Sequence, residues 1–140
     1  MNALKTILVL MLVFVMFGCG KKVWPEPDAE EEKFAISITS HEMHDDCLEI
    51  TAEISGNHKN LSTITLELEA LDEPCPACPF LVSKSVVLPP GSPEVKRVEN
   101  MLTITHCGLD PDSYYRVRLK ARNIYSVIRE ETSRVVVIRK

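Results

Sequence analysis

Leu109-Asp110-Pro111-Asp112-Ser113-Tyr114-Tyr115-Arg116-Val117-Arg118-Leu119-Lys120-Ala121-Arg122-Asn123 is the stretch that decides the fold. Its Asp-Pro-Asp opening reads as a turn, because proline presets one backbone angle and aspartate accepts hydrogen bonds from the main chain that follows. Beyond the turn, Tyr115, Val117, Leu119 and Ala121 alternate with Arg116, Arg118, Lys120 and Arg122. Successive side chains of a strand point to opposite faces, so this strand has one apolar face and one basic face. Such a strand belongs to an antiparallel sheet with one side on a core and the other toward solvent.

The same period of two recurs upstream. Phe34, Ile36 and Ile38 alternate, as do Leu48, Ile50, Ala52 and Ile54, then Ile64, Leu66, Leu68 and Ala70. Further strands are expected over residues 81–88, 101–106 and 132–139, with turns at Gly56-Asn57, Pro89-Pro90-Gly91 and Asp110-Pro111-Asp112. The spacing predicts an all-β, antiparallel sandwich of seven strands. Helical periodicity is nearly absent.

The stretch 109–123 resembles the sixth strand of a fibronectin type III domain, which places Leu109, Pro111 and Tyr115 at these spacings and ends in alternating apolar residues, Ala121 and Asn123. The resemblance implies an immunoglobulin-like, fibronectin type III-like sandwich over residues 34–140. Tyr115 would be its tyrosine corner, with the ring in the core and the hydroxyl bonded to backbone near Leu109. The tryptophan usual on the second strand is missing, since residues 48–54 carry only aliphatic core candidates, so the domain is a divergent one. In the fibronectin-like order the third strand flanks the sixth. Thr65, Glu67 and Glu69 then face outward beside the basic stripe, and cross-strand charge pairs are its plain explanation.

The N-terminus supplies an address. Lys5 precedes an apolar run from Thr6 to Phe17, and the run ends in Met16-Phe17-Gly18-Cys19-Gly20. A dozen residues make a helix of roughly 18 Å, against a hydrocarbon core of roughly 30 Å, so the run is a secretory signal and not a span. Met16-Phe17-Gly18-Cys19 resembles the bacterial lipobox, which implies a signal peptide over 1–18 and a covalent lipid on Cys19 as the only attached group. Gly20 after the cysteine, in place of aspartate, implies the outer membrane. Residues 19–33 carry Lys21, Lys22, Pro25, Pro27 and Glu30-Glu31-Glu32 and read as a stiff acidic tether with solvated carboxylates. Trp24 and the two lysines suit the headgroup region of a membrane.

About 120 residues remain after the signal, enough for one core and one small domain. The net charge is −4, with the bases gathered toward the C-terminus. The export address and the strand pattern both argue against nucleic acid as a partner.

Cys47, Cys75, Cys78 and Cys107 form an even set in an oxidising compartment, where disulfides are the default. In the inferred topology all four fall at one end of the sandwich. Cys47 with Cys107 and Cys75 with Cys78 is one connectivity, and two longer bridges joining the pairs crosswise is the other. The same end collects His41, His44 and His106, with Asp45 and Asp46 nearby. Cys47, Cys75, Cys78, His106 and Cys107 could therefore hold a soft metal ion, and Cys75-Pro76-Ala77-Cys78 could be a redox pair. A thioredoxin-type pair draws its low thiol pKa from a helix N-terminus, and no helix follows here.

No nucleophile elbow, phosphate loop or zinc-protease motif is present, so no enzyme is expected. The reading is a lipoprotein of the bacterial cell envelope, anchored to the outer membrane and carrying a non-catalytic binding or envelope-organising module for a protein or glycan partner. The alternative is a thiol-redox or metal-binding lipoprotein centred on Cys75 and Cys78 with Cys47, His106 and Cys107.

Overall fold

Alternation produces strands wherever it runs for more than two periods. The computed structural model describes residues 30–73, 75 and 77–138. The signal segment, Cys19 and the tether up to residue 29 lie outside the described residues. The strands are β1 (Phe34–His44), β2 (Cys47–Gly56), β3 (Leu61–Leu71), β4 (Lys84–Leu88), β5 (Val95–Val98), β6 (Met101–His106), β7 (Tyr114–Asn123), β8 (Glu131–Thr132) and β9 (Val136–Ile138). They form two antiparallel sheets, one ordered β1-β2-β6-β5 and the other β4-β3-β7-β8, with β9 also on β7. Among the described residues no helix is long and apolar enough to cross a membrane.

The two sheets share one core. Leu48, Ile50 and Ile54 of β2 and Leu102 and Ile104 of β6 meet Ile64, Leu66 and Leu68 of β3 and Val117 and Leu119 of β7, all with almost no exposure. Burying an aliphatic side chain contributes roughly 1.5–3 kcal/mol, so this inner layer supplies the main driving force for the fold. In β1 the register with β2 shifts between Ile38 and Ser40. The extra residue lets Met43, out of phase with Phe34, Ile36 and Ile38, also pack against the core.

Nine strands replace the seven expected from sequence. One addition is β5, four residues long and joined to β6 by a tight turn in which Glu99 takes a φ of 53°. That turn contains no glycine, so the sequence carries no signal for it. The other comes from a split: the last expected strand breaks into β8 and β9 around Ser133. The Ser133 N–H donates to the Leu119 carbonyl, and its hydroxyl accepts from the Leu119 N–H at 2.9 Å, in place of a continuing ladder. The strand expected over 81–88 begins only at Lys84.

The antiparallel connections define two poles. Cys47, Leu71, His106 and Tyr114 stand at one end of their strands, and Phe34, Gly56, Leu61 and Asn123 at the other. At the second pole the tether enters, and it is held. Gly56 has a φ of +88°, and a Cβ there would stand 2.7 Å from the Lys33 carbonyl oxygen, to which the Asn57 N–H donates. Glu32, expected to be solvated, accepts instead: its carboxylate takes the Asn57 side-chain amide at 2.9 Å and that of Asn60, and its carbonyl takes Asn123 at 2.7 Å.

Candidate functional site

The pole opposite the tether gathers all four cysteines that follow Cys19, and they are spent in two bridges. Cys47 at the start of β2 joins Cys107, one residue past the end of β6, because Leu48 pairs with His106 in the ladder and sets the two cysteines side by side. Cys75 joins Cys78 within the connection from β3 to β4. The local connectivity is therefore the one adopted.

The first bridge lies in a braced corner. Asp46 accepts the Gly108 N–H through its side chain at 3.2 Å and the Leu109 N–H through its carbonyl at 3.0 Å. Leu109 is buried, and the Asp110 N–H donates to the Tyr115 hydroxyl at 2.9 Å, while the Tyr115 ring packs in the core. Pro111 lies in the turn between them. The hydroxyl of Tyr115 thus pins the segment that follows Cys107.

The second bridge covers the outer face of the β3–β7 pair. That face was expected to be a solvent-exposed basic stripe, and the structure corrects this at Arg116, which is only 3% exposed. The reason is the loop after β3, which folds back over it. In the ladder Glu69 stands opposite Arg116 and Glu67 opposite Arg118. Arg116 gives its Nε at 2.8 Å and its Nη2 at 2.6 Å to Glu69, itself 5% exposed. Its remaining donors go to the loop: Nη1 to the carbonyls of Cys75 at 3.1 Å and Cys78 at 2.7 Å, and Nη2 to that of Pro79 at 2.7 Å. A guanidinium has five N–H donors in a fixed fork, and here the fork takes three backbone carbonyls of one loop together with the Glu69 carboxylate. Phe80 closes the arrangement, with its ring centroid 4.7 Å from the Arg118 guanidinium and 5.8 Å from that of Arg116.

Farther along β7 the pairing is looser. Arg118 meets Glu67 at 2.5 Å, and Lys120 turns mainly to Glu130 at 2.6 Å, a hydrogen bond that raises the Lys120 pKa. Arg122 reaches Glu130 at 3.6 Å and is mostly exposed.

The imidazoles do not converge. His44 bonds Glu42 at the surface, and His41 lies elsewhere on β1. His106 faces inward beside the first bridge, where its Nε2 is buried and unpartnered among the described residues. Burial, and then the charge of Lys84, push its pKa below the ordinary value, against a smaller pull from Glu94. Among the described residues no three His, Cys, Asp or Glu side chains are placed to hold a metal ion. With the four sulfurs bonded to one another, the thiolates that a metal set of Cys47, Cys75, Cys78, His106 and Cys107 needs are not present.

Beside the covered face lies an open one. Leu81 is 70% exposed, Val82 44% and Val87 62%, along the segment that leads into and forms β4. β4 pairs with β3 on one side, and among the described residues no strand pairs with its other side. Sequence reading missed this edge, as it missed the grip of Arg116 on the loop. The clue available was Pro-Phe-Leu-Val after the second cysteine, an apolar run without alternation. No protein-family model matches the chain, and no curated protein matches it.

Proposed function

We propose that the chain is a lipid-anchored lipoprotein of the bacterial outer membrane whose sandwich is a non-catalytic, fibronectin type III-like binding module. The observation that carries the binding role is the edge of β4, with Val87 exposed on the strand and Leu81 and Val82 exposed on the segment that leads into it. A sheet edge offers a row of free main-chain donors and acceptors, and proteins that do not use such an edge cover or charge it. Here only Lys84 marks it with charge, at the first residue of the strand. Strand addition by an extended, apolar segment of another envelope protein fits this edge better than a glycan, which the aliphatic side chains would leave poorly hydrogen-bonded.

The fibronectin-like reading is supported by the Tyr115 hydroxyl at the Asp110 N–H and by the third expected strand lying beside the sixth. The anchor reading rests on the lipobox-like Met16-Phe17-Gly18-Cys19. In that arrangement the lipid pulls on the tether pole, where Glu32 is gripped by three asparagines, and the cysteine pole faces away from the membrane.

Two measurements test the proposal. Cys19→Ser should release the protein from membranes, and retention would replace the lipid with an uncleaved anchor. A photo-crosslinker at Val87 should give a discrete product in intact cells that the same crosslinker at Glu49, on the other sheet, does not. Equal patterns from both positions would remove the β4 edge as the binding surface.

A further inference from the structure

We propose that Cys75–Cys78 is a thiol–disulfide exchange site, with Cys78 as the sulfur that meets the partner and Arg116 as the group that makes the opened pair available as thiolate. This goes beyond the binding role and does not rest on it.

Three observations lead there. The first is access: Cys78 is exposed, whereas Cys75 is half-buried. The second is that opening the bridge releases little. It closes a loop with a sequence separation of 3, and the residues it joins are held independently, since Arg116 bonds the carbonyls of Cys75, Cys78 and Pro79, and the Cys78 N–H donates to the Cys75 carbonyl. The two sulfurs therefore stay near one another when reduced, so the bridge can reform without refolding. The third is charge. A reactive cysteine pair needs a positive neighbour that lowers the thiol pKa, and no helix supplies it here. Arg116 does: Glu69 neutralises its Nε and Nη2 edge, while Nη1 is given wholly to the main chain of the two cysteines. A thiolate formed at this loop belongs to a turn whose carbonyls a buried guanidinium already holds.

The electron donor is a dithiol. One of its thiolates attacks Sγ of Cys78, the bond to Cys75 breaks, and the electron pair leaves on Sγ of Cys75 as a thiolate, in the turn whose carbonyls Arg116 holds. The donor's second thiol, as thiolate, then attacks its own sulfur in the mixed disulfide and expels Cys78. The donor departs as a disulfide, two electrons have entered the loop, and the donor's two protons pass to Cys75, Cys78 or solvent. The reverse sequence delivers the two electrons to an oxidised partner. Arg116 is a positioning residue in both directions.

The test uses the protein with Cys19 replaced by serine, equilibrated in glutathione redox buffers, alkylated and mapped by peptide mass. Cys75 and Cys78 should open together in a two-electron transition while the circular dichroism stays native and Cys47–Cys107 stays closed. In Cys75→Ser, the rate at which Cys78 forms a mixed disulfide with oxidised glutathione should rise with pH about a midpoint below ~8.5, the ordinary thiol value. Arg116→Lys should move the opening transition toward more reducing buffers. A pair that opens only when Cys47–Cys107 opens or the fold is lost would overturn the proposal. So would a Cys78 midpoint at or above the ordinary value, a result readable even if Arg116→Lys fails to fold. Dithiothreitol and a reduced thioredoxin-type protein at equal concentration separate the two sources of dithiol, the faster one naming the class.

Discussion

Cys47–Cys107 and Cys75–Cys78 close the same pole of the sandwich, yet the first spans 60 positions of chain and the second 3. The first joins the start of β2 to the end of β6 and restrains the unfolded chain over more than half of the domain. The second restrains a single turn that Arg116 already holds. Loop-closure entropy puts the long bridge at about 4 kcal/mol and the short one at about 2 kcal/mol before native contacts are counted. Two bonds of one chemical kind thus divide their work: one restrains the fold across most of its chain, and the other closes a turn that Arg116 also holds, which leaves it open to the exchange proposed above.

Removing each bridge in turn separates their contributions by the widest margin. Cys47→Ser with Cys107→Ser should lower the unfolding free energy by about 4 kcal/mol in urea titrations, whereas Cys75→Ser with Cys78→Ser should lower it by less than about 2 kcal/mol. Equal losses would mean that the short loop is as structural as the long one. Next in size is Arg116→Met. It strands Glu69, 5% exposed, without its partner, and breaking a buried pair costs about 3 kcal/mol or more. Adding the Cys75 and Cys78 changes to Arg116→Met should cost less than the sum of the two losses, because both hold the same turn. Strict additivity would show that Arg116 and the bridge act on different parts of the structure.

The two bridges also differ in how far the sequence foretold their surroundings. Alternation in residues 48–54, 64–68 and 115–121 placed β2, β3 and β7 and their inner faces, because a core facing one side of a strand admits no other period; Ala70, expected inward with them, is exposed near the end of β3, beyond the shared core. From there the neighbours β2 and β6 put Cys47 beside Cys107. The loop after β3 escaped, since nothing local states that Cys75, Cys78, Pro79 and Phe80 come back over β7. The charges that the loop covers, Glu69 and Arg116, are the same residue types that an exposed strand face carries. Burial reached them through a tertiary contact, made by three backbone carbonyls, which have no signature in sequence, and by the ring of Phe80. Glu32 escaped for the same reason: an acid in a charged tether looks solvated until three distant asparagines close on it.

The long bridge has a second support, smaller in energy. Asp110, three residues after Cys107, donates its N–H to the Tyr115 hydroxyl. Tyr115→Phe should therefore cost about 1 kcal/mol, the net value of one such hydrogen bond. The loss should persist in the Cys47→Ser, Cys107→Ser background if the hydroxyl fixes the β6–β7 connection by itself. If it vanishes there, the bridge and the tyrosine are one unit, and the long bridge does its work through the corner.

The smallest effect belongs to His106, next to Cys107 and turned toward the core, with Nε2 buried and unpartnered among the described residues. Burial, then Lys84, hold its pKa below the ordinary 6.5, so the folded state prefers the neutral ring. In the pH range between the folded and unfolded pKa values the unfolded chain binds more protons, and stability rises with pH there. The contribution of His106 is therefore fully present above about 6.5 and is lost as pH falls through its lowered folded value. Denaturation of wild type and His106→Leu at pH 7.5 and pH 5 should show a larger acid loss in wild type. Because the ring adjoins the long bridge and not the loop, mild-reduction alkylation of Cys75 and Cys78 should be the same in both proteins. If His106→Leu alters that alkylation, the two bridges are coupled through the core, and the division of labour between them fails.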